Sequence, residues 1–120
     1  MAYKKDLESE RKWILLLNTI EASIGKRPKD LNAVLFLIGV QELGQGPKPY
    51  SKEEKQDLMH IAICRLLSSS GFYELSGLDE QGWPHWVPTK TLPHFDLLEQ
   101  EKLLKMHAIE YFTEEMGLLS

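Results

Sequence analysis

The stretch LNAVLFLIGVQEL, residues 31–43, decides how the rest of the chain must fold. Its middle is apolar without a break, and a helix of that kind needs neighbours on every side. A buried strand is the competing interpretation, because short apolar runs carry no period that separates the two. Asp30 in the N-cap position, together with the spacing of Leu31, Leu35 and Ile38, favours a helix. We predict a helix over this stretch and expect it to be the most buried in the protein.

Gly39 lies inside this apolar run. Glycine costs a helix about 1 kcal/mol relative to alanine, so a glycine in this position needs a structural reason. Close approach of another helix is the simplest reason, and we expect one to pack against Gly39.

Helices are also predicted before and after this stretch. The first covers about residues 5–24, where apolar side chains recur at steps of three and four residues. Its apolar face consists of Trp13, Leu16, Leu17, Ile20 and Ile24. The third begins after Ser51, which has the capping-box spacing with Glu54, and continues to about Ser69.

A fourth helix is predicted near the end of the sequence. It begins near Leu92 or Pro93 and runs to about Met116, because Gly117 is a typical helix terminator. Its inner stripe is expected to consist of Leu97, Leu104, Ala108 and Phe112.

Between the third and fourth helices, over residues 72–91, the helical period disappears. Residues 72–75 are typical of a short strand, residues 79–82 of a turn, and residues 83–87 of a returning strand. The prolines at both ends of the returning strand would confine it to a sheet edge. An irregular aromatic loop is the alternative.

These elements predict one all-α domain over residues 1–120, a bundle of four principal helices with a short aromatic β-hairpin or loop between helices 3 and 4. A chain of 120 residues with 42% hydrophobic and 27% charged residues is typical of a globular domain with its own core. The composition is too apolar for intrinsic disorder.

Charge and cysteine content restrict the classes of function. The formal net charge of −4 disfavours nucleic acid as a partner, because such binding needs a concentrated basic surface. The single cysteine, Cys64, excludes an intramolecular disulfide, and residues 1–11 contain no apolar signal region. The apolar runs are much shorter than the roughly 20 residues of a membrane span. We therefore expect a cytoplasmic protein with no membrane or nucleic-acid partner.

Asp57 and His60 make a metal-dependent enzyme one candidate. Di-iron carboxylate bundles place a glutamate on each of two helices and a Glu-x-x-His motif on each of the other two. Asp57 precedes His60 by three residues on the third helix, and Glu21 and Glu42 could come from the first two. The fourth helix breaks the pattern, and His60 with Cys64 supplies only two zinc ligands. We interpret the pair as a partly buried histidine beside a core cysteine, and predict no metal and no cofactor.

Two other chemistries fit the residues less well. Cys64 lies in the middle of a helix, where a cysteine is usually a small core residue rather than a nucleophile.

The third helix and the hairpin follow one another in the order of the recognition helix and wing of a winged-helix DNA-binding domain. However, residues 73–88 contain no lysine or arginine and carry three acidic residues, which disfavours contact with DNA phosphates.

The aromatic segment is the feature most typical of a binding surface. Tyr73, Trp83, His85 and Trp86 form our candidate interaction surface, because exposed tryptophan and tyrosine dominate binding hot spots. The competing interpretation is that these side chains fold inward and hold the long connection against the helices.

Charged side chains beside the apolar faces form a second set of candidates, for a polar site: Glu42, Asp57, His60, Arg65 and Glu101. A buried carboxylate needs a partner, or its pKa shifts. We predict that Arg65 pairs with Glu42 or with Glu101, a pairing that more often holds helices together than marks a site.

Three runs of the sequence resemble a group of short, uncharacterised bacterial helical proteins of unknown function. They are LNAVLFLIGVQELGQG from Leu31, SKEEKQDLMHIAICRLLSSSGFYE from Ser51 and DEQGWPHW from Asp79. The resemblance covers roughly residues 30–86 and part of the last helix. It implies a bacterial, cytoplasmic protein and transfers no catalytic residue or ligand.

The sequence thus favours a non-enzymatic protein–protein interaction or regulatory module that self-associates as a dimer. A metal-dependent or small-molecule enzyme with a site between helices is the alternative, and a winged-helix DNA binder is a third, disfavoured by charge. A structure would show whether the aromatic segment, Glu42 and His60 line one common cleft.

Overall fold

The computed structural model describes residues 2–115 and 117, with side chains from residue 7 onward. Within that range the chain forms α1 (Ala2–Ile24), α2 (Leu31–Leu43), α3 (Lys52–Ser68), β1 (Tyr73–Leu78), β2 (Pro84–Pro88) and α4 (Leu97–Glu114). The prediction of four helices with a hairpin between the third and fourth is confirmed. The all-α class is too narrow, because β1 and β2 pair as an antiparallel ladder.

Helix α2 is the most thoroughly covered helix, as predicted. Among its residues only Asn32 and Gln41 are exposed. The Asp30 side chain caps the helix by accepting a hydrogen bond from the Ala33 amide at 3.0 Å. Gly44 ends it in a left-handed conformation, which glycine adopts without steric cost.

The close approach predicted at Gly39 occurs against α3. A Cβ at Gly39 would lie 2.7 Å from the carbonyl carbon and 2.9 Å from the Cβ of Leu58, and closer still to the Leu58 carbonyl oxygen. Only a residue without a side chain lets the two backbones come this near. Gly39 therefore sets the distance between α2 and α3.

Two hydrophobic cores result from this packing. The larger one contains buried residues from all four helices: Trp13, Leu16, Ile20, Val34, Leu35, Ile38, Ala62, Leu66, Ala108, Tyr111 and Phe112. The smaller one consists of Leu43, Tyr50, Leu58 and Ile61. Trp83 from the hairpin packs against the smaller core, so that core is where the hairpin rests on the helices.

Helix α4 begins later than predicted. Asp96 accepts a hydrogen bond from the Glu99 amide at 2.8 Å, and Glu99 accepts one from the Asp96 amide, which completes a capping box. This cap satisfies amides at the helix start, which Leu92 and Pro93 cannot do. Met116, the predicted end, lies outside the described residues.

The predicted apolar faces extend too far on two helices. Leu97, one residue after the cap of α4, is 84% exposed, and the packed stripe begins only at Leu104. Ile24, at the last position of α1, is also exposed. Both residues lie at helix ends, beyond the reach of the neighbouring helices.

Gly39→Ala is expected to destabilise the protein by about 3 kcal/mol, because the added methyl group collides with backbone atoms that cannot move without separating two helices. Urea unfolding followed by circular dichroism measures the change. Gln41→Ala, at an exposed position of the same helix, is the control and should unfold like the unchanged protein. Equal stability of the two variants would contradict the close approach of α2 to α3.

Candidate functional site

The hairpin is held against the helical part of the chain at both of its ends. At the open end, the amide of Phe72, directly before β1, donates to the Leu67 carbonyl of α3 at 3.2 Å. At the turn, the Gln45 side-chain amide donates to the Gln81 carbonyl at 2.9 Å. Between these points Leu75 pairs with Trp86, and the register shifts immediately afterwards. The hairpin is therefore fixed over α3 rather than free at its tip.

Asp79 organises the turn of the hairpin. One carboxylate oxygen accepts hydrogen bonds from the amides of Gln81 at 2.9 Å and Trp83 at 3.0 Å. The other lies 3.0 Å from Nε2 of His85. The bond from His85, followed by the one from the Trp83 amide, lowers the pKa of Asp79 below its ordinary value. Asp79 is therefore ionised at neutral pH.

A cleft of about 360 Å³ lies between α3 and the hairpin. It is lined by Glu54, Asp57, His60 and Ile61 from α3, and by Asp79, Gln81, Trp83, Pro84, His85 and Trp86 from the hairpin and its turn. Members of both sets of candidate residues, the aromatic segment and the polar site, therefore line one cleft. Tyr73, Glu42, Arg65 and Glu101 do not line it.

The walls of the cleft carry negative charge. Glu54, Asp57 and Asp79 supply three carboxylates, and none of the described residues that line the cleft is lysine or arginine. Glu54 uses one oxygen to accept a hydrogen bond from the Ser51 amide at 2.9 Å. Asp57 is exposed and has no hydrogen bond or ion pair with the described part of the chain. It is therefore available to a ligand.

The two tryptophans of the cleft differ in their surroundings. Trp83 is half-buried and packs against the smaller core, so it holds the hairpin in place. Trp86 is also half-buried, but its indole Nε1 is buried with no hydrogen-bond partner among the described residues. A buried donor without a partner lowers the stability of the folded state by about 1 to 3 kcal/mol.

His60 and Cys64 are in contact but differ in their exposure to solvent. Cys64 is fully buried, and burial raises the pKa of its thiol to about 11, so it is not a thiolate at neutral pH. His60 is exposed on the cleft wall, which corrects its interpretation as a partly buried residue. Its Nε2 lies 3.6 Å from the Cys64 sulfur. Across the residues that the structure describes, no group of three or more histidine, cysteine, aspartate or glutamate side chains could hold a metal ion.

The predicted ion pair of Arg65 joins three helices away from the cleft. Arg65 Nε lies 3.3 Å from Glu42 Oε1, and Arg65 Nη2 lies 2.8 Å from Glu115. The other Glu42 oxygen accepts a hydrogen bond from the Tyr111 hydroxyl at 2.7 Å. The alternative pairing with Glu101 is wrong, because Glu101 points to solvent beside Lys105 at 3.5 Å.

Sequence reasoning missed a contact between Ser70 and His107. The Ser70 hydroxyl lies 2.8 Å from His107 Nε2, and His107 Nδ1 lies 2.9 Å from the Leu103 carbonyl, so Nδ1 donates and Nε2 accepts. A serine hydroxyl beside a histidine nitrogen that accepts a hydrogen bond can act as a nucleophile, with the histidine as its base. However, the amides of Gly71 and Phe72 already donate to helix carbonyls, so they are not available to an oxyanion.

This contact joins the end of α3 to α4. The two residues are 37 positions apart, and neither belongs to a local motif, so the sequence carried no signal for it.

Comparison of the chain with family models, with curated proteins and with solved structures finds no match. The resemblance to short bacterial proteins therefore stays a prediction. Among the described helices, none has the length and apolar character needed to cross a membrane.

Tyr111→Phe is expected to cost about 2 kcal/mol of unfolding free energy, because it removes a hydrogen bond to a charged, half-buried carboxylate. Burial, and then the bond to Glu42, raise the pKa of Tyr111 above its ordinary value of 10.0. The stabilisation is therefore complete below pH 10 and is lost as the pH rises towards the folded-state pKa. Alkaline titration of tyrosine absorbance should show one late-ionising group that Tyr111→Phe abolishes.

Asp79→Ala is expected to speed hydrogen exchange at the amides of Gln81 and Trp83, since both donate to this carboxylate. Asp79→Asn retains an acceptor oxygen and should protect them better. Because the pKa of Asp79 is lowered, its stabilising effect is complete above its ordinary pKa of 3.8 and is lost as pH falls through the folded-state value. Exchange rates that are equal in the two variants would contradict this role.

Proposed function

We propose that the chain is a non-enzymatic interaction module whose contact surface is the cleft between α3 and the hairpin. One observation carries the proposal: the cleft collects aromatic side chains and charged side chains from two separate elements in one concave surface. Concave sites with apolar walls and a few convergent polar groups are where proteins usually bind ligands. Trp83, Trp86 and His85 supply the aromatic part of this wall, and Asp57 and His60 the polar part.

The aromatic segment can both stabilise the fold and provide a contact surface. Trp83 packs against the smaller core, whereas the side chain of His85 is 62% exposed. Residues held rigidly by a core lose little conformational entropy on binding, which favours affinity. The acidic walls would repel phosphates, so DNA is not the partner that we propose. The resemblance to short bacterial proteins supports a bacterial, cytoplasmic setting.

Self-association is a second candidate, supported by a different surface. Trp13, Leu98, Met106 and Ile109 line a groove between α1 and α4, and Leu98 is 61% exposed. Exposed apolar surface of this kind is typical of protein contacts when it is continuous. We propose that this groove contacts a second copy.

Light scattering should give the mass of a dimer for the unchanged protein and that of a monomer for Leu98→Glu. A monomeric mass for the unchanged protein would contradict self-association.

The cleft proposal is tested by selecting a random peptide library on the immobilised protein. We expect enrichment of peptides that bind the unchanged chain and are lost from Trp86→Ala and from Asp57→Arg. Asp57→Arg reverses one charge at an exposed helical position and should leave folding intact. Leu98→Ala, on the groove between α1 and α4, is the matched control and should retain the peptides.

Two results would contradict the proposal. One is the absence of any peptide enriched on the unchanged protein. The other is retention of the selected peptides by both cleft variants, because binding would then use another surface. Elemental analysis of the purified protein adds an independent check, since stoichiometric iron, manganese or zinc would favour the enzyme alternative.

A further inference from the structure

We propose that the cleft selects a cationic side chain, lysine or arginine, carried on an extended segment of a partner protein. This inference rests on the proposed function and names the chemistry of the ligand. It is carried by the charge of the walls, by the indole rings beside that charge and by the volume of the cleft.

The charge of the cleft is only partly compensated on its own surface. His85 lies 3.0 Å from Asp79, and Glu54 accepts a hydrogen bond from the Ser51 amide at 2.9 Å. Asp57 has no partner among the described residues. Electrostatic complementarity between two surfaces contributes more to the choice of partner than to affinity. The acidic wall therefore favours a partner with a positively charged side chain.

Indole rings strengthen the preference for a cation. A lysine or arginine group near the face of tryptophan gains about 0.5 to 2 kcal/mol from the ring quadrupole. The chain makes such contacts itself: Lys105 Nζ lies 5.2 Å from the centre of the Trp13 ring, and Lys90 Nζ lies 4.5 Å from that of Phe72. Trp83 and Trp86 line the cleft without a lysine or arginine of the described chain beside them there.

The size of the cleft favours a side chain carried on a peptide over a free cation. A volume of about 360 Å³ is enough for one long side chain and the adjoining backbone.

The experiment uses the ¹⁵N-labelled full chain and follows the indole N–H signals of its three tryptophans by NMR. The probe is the capped pentapeptide Ala-Ala-Lys-Ala-Ala, and its neutral counterpart carries norleucine in place of lysine. We expect saturable shifts at Trp83 and Trp86 with the lysine peptide, at least tenfold weaker binding of the norleucine peptide, and no shift at Trp13, which is buried in the larger core.

Two carboxylate variants test the location of the charge. Asp57→Asn should weaken the lysine peptide about threefold, the size typical of one exposed ion pair. Glu8→Gln removes an exposed carboxylate on α1, away from the cleft, and should leave the affinity unchanged. Equal weakening by both variants would show attraction to the net charge of the protein and would overturn the inference.

The other outcomes separate this inference from the proposed function. Equal shifts with both peptides would overturn selection of a cation while leaving the cleft as a contact surface. No shift with either peptide would also overturn it, and the library selection would then decide the proposed function independently. Shifts of the same two indoles on simple dilution of the protein would identify a second copy as the occupant, which overturns the choice of partner.

Discussion

The approach of α2 to α3 at Gly39 is the contact on which the rest of the structure depends. Backbone atoms of Leu58 occupy the space that a side chain at residue 39 would need. Leu58 and its neighbour in the next turn, Ile61, then form the floor of the smaller core. Because Trp83 packs on that core and Ile61 also lines the cleft, the distance between two helices sets the depth at which the hairpin sits.

Charge is distributed along α3 so that its two ends have different roles. Near the carboxyl end, Arg65 is held between Glu42 and Glu115, and this network joins α2, α3 and α4. Near the amino end, Glu54 and Asp57 face the cleft, where the described chain provides no lysine or arginine. Breaking a half-buried pair would leave a charge without a partner, so the first set specifies how the helices pack. In the second set, Glu54 holds the Ser51 amide with one oxygen, and Asp57 has no partner among the described residues.

Support for the hairpin comes from two kinds of interaction that act together. Asp79 closes the turn through two backbone amides and His85, which fixes the tip as a rigid unit. The Gln45 side chain then anchors this unit to the loop after α2. An isolated two-stranded hairpin is marginal in water, so packing on α3 and these polar anchors are what make it a wall of the cleft.

Local features of the sequence determined much of the fold. The caps at Asp30 and Ser51, the turn at residues 79–82 and the apolar run of α2 each act through near neighbours, so they could be predicted from residues a few positions apart. The pairing of Arg65 with Glu42 was also predictable, because a charged group beside an apolar face needs a partner. The start of α4 was predicted wrongly, since Asp96 offered a better cap than the residues around Pro93.

Only the tertiary structure decided which candidate residues meet. By sequence, Asp57 and His60 belong with Glu42 and Arg65 as charged residues beside apolar faces, yet α3 presents the first two to the hairpin and Arg65 to α2 and α4. The contact of Ser70 with His107 likewise spans 37 positions. Helix periodicity specifies one face of each helix, but the rotation and spacing of neighbouring helices depend on packing across the whole core, here on the absence of a side chain at Gly39.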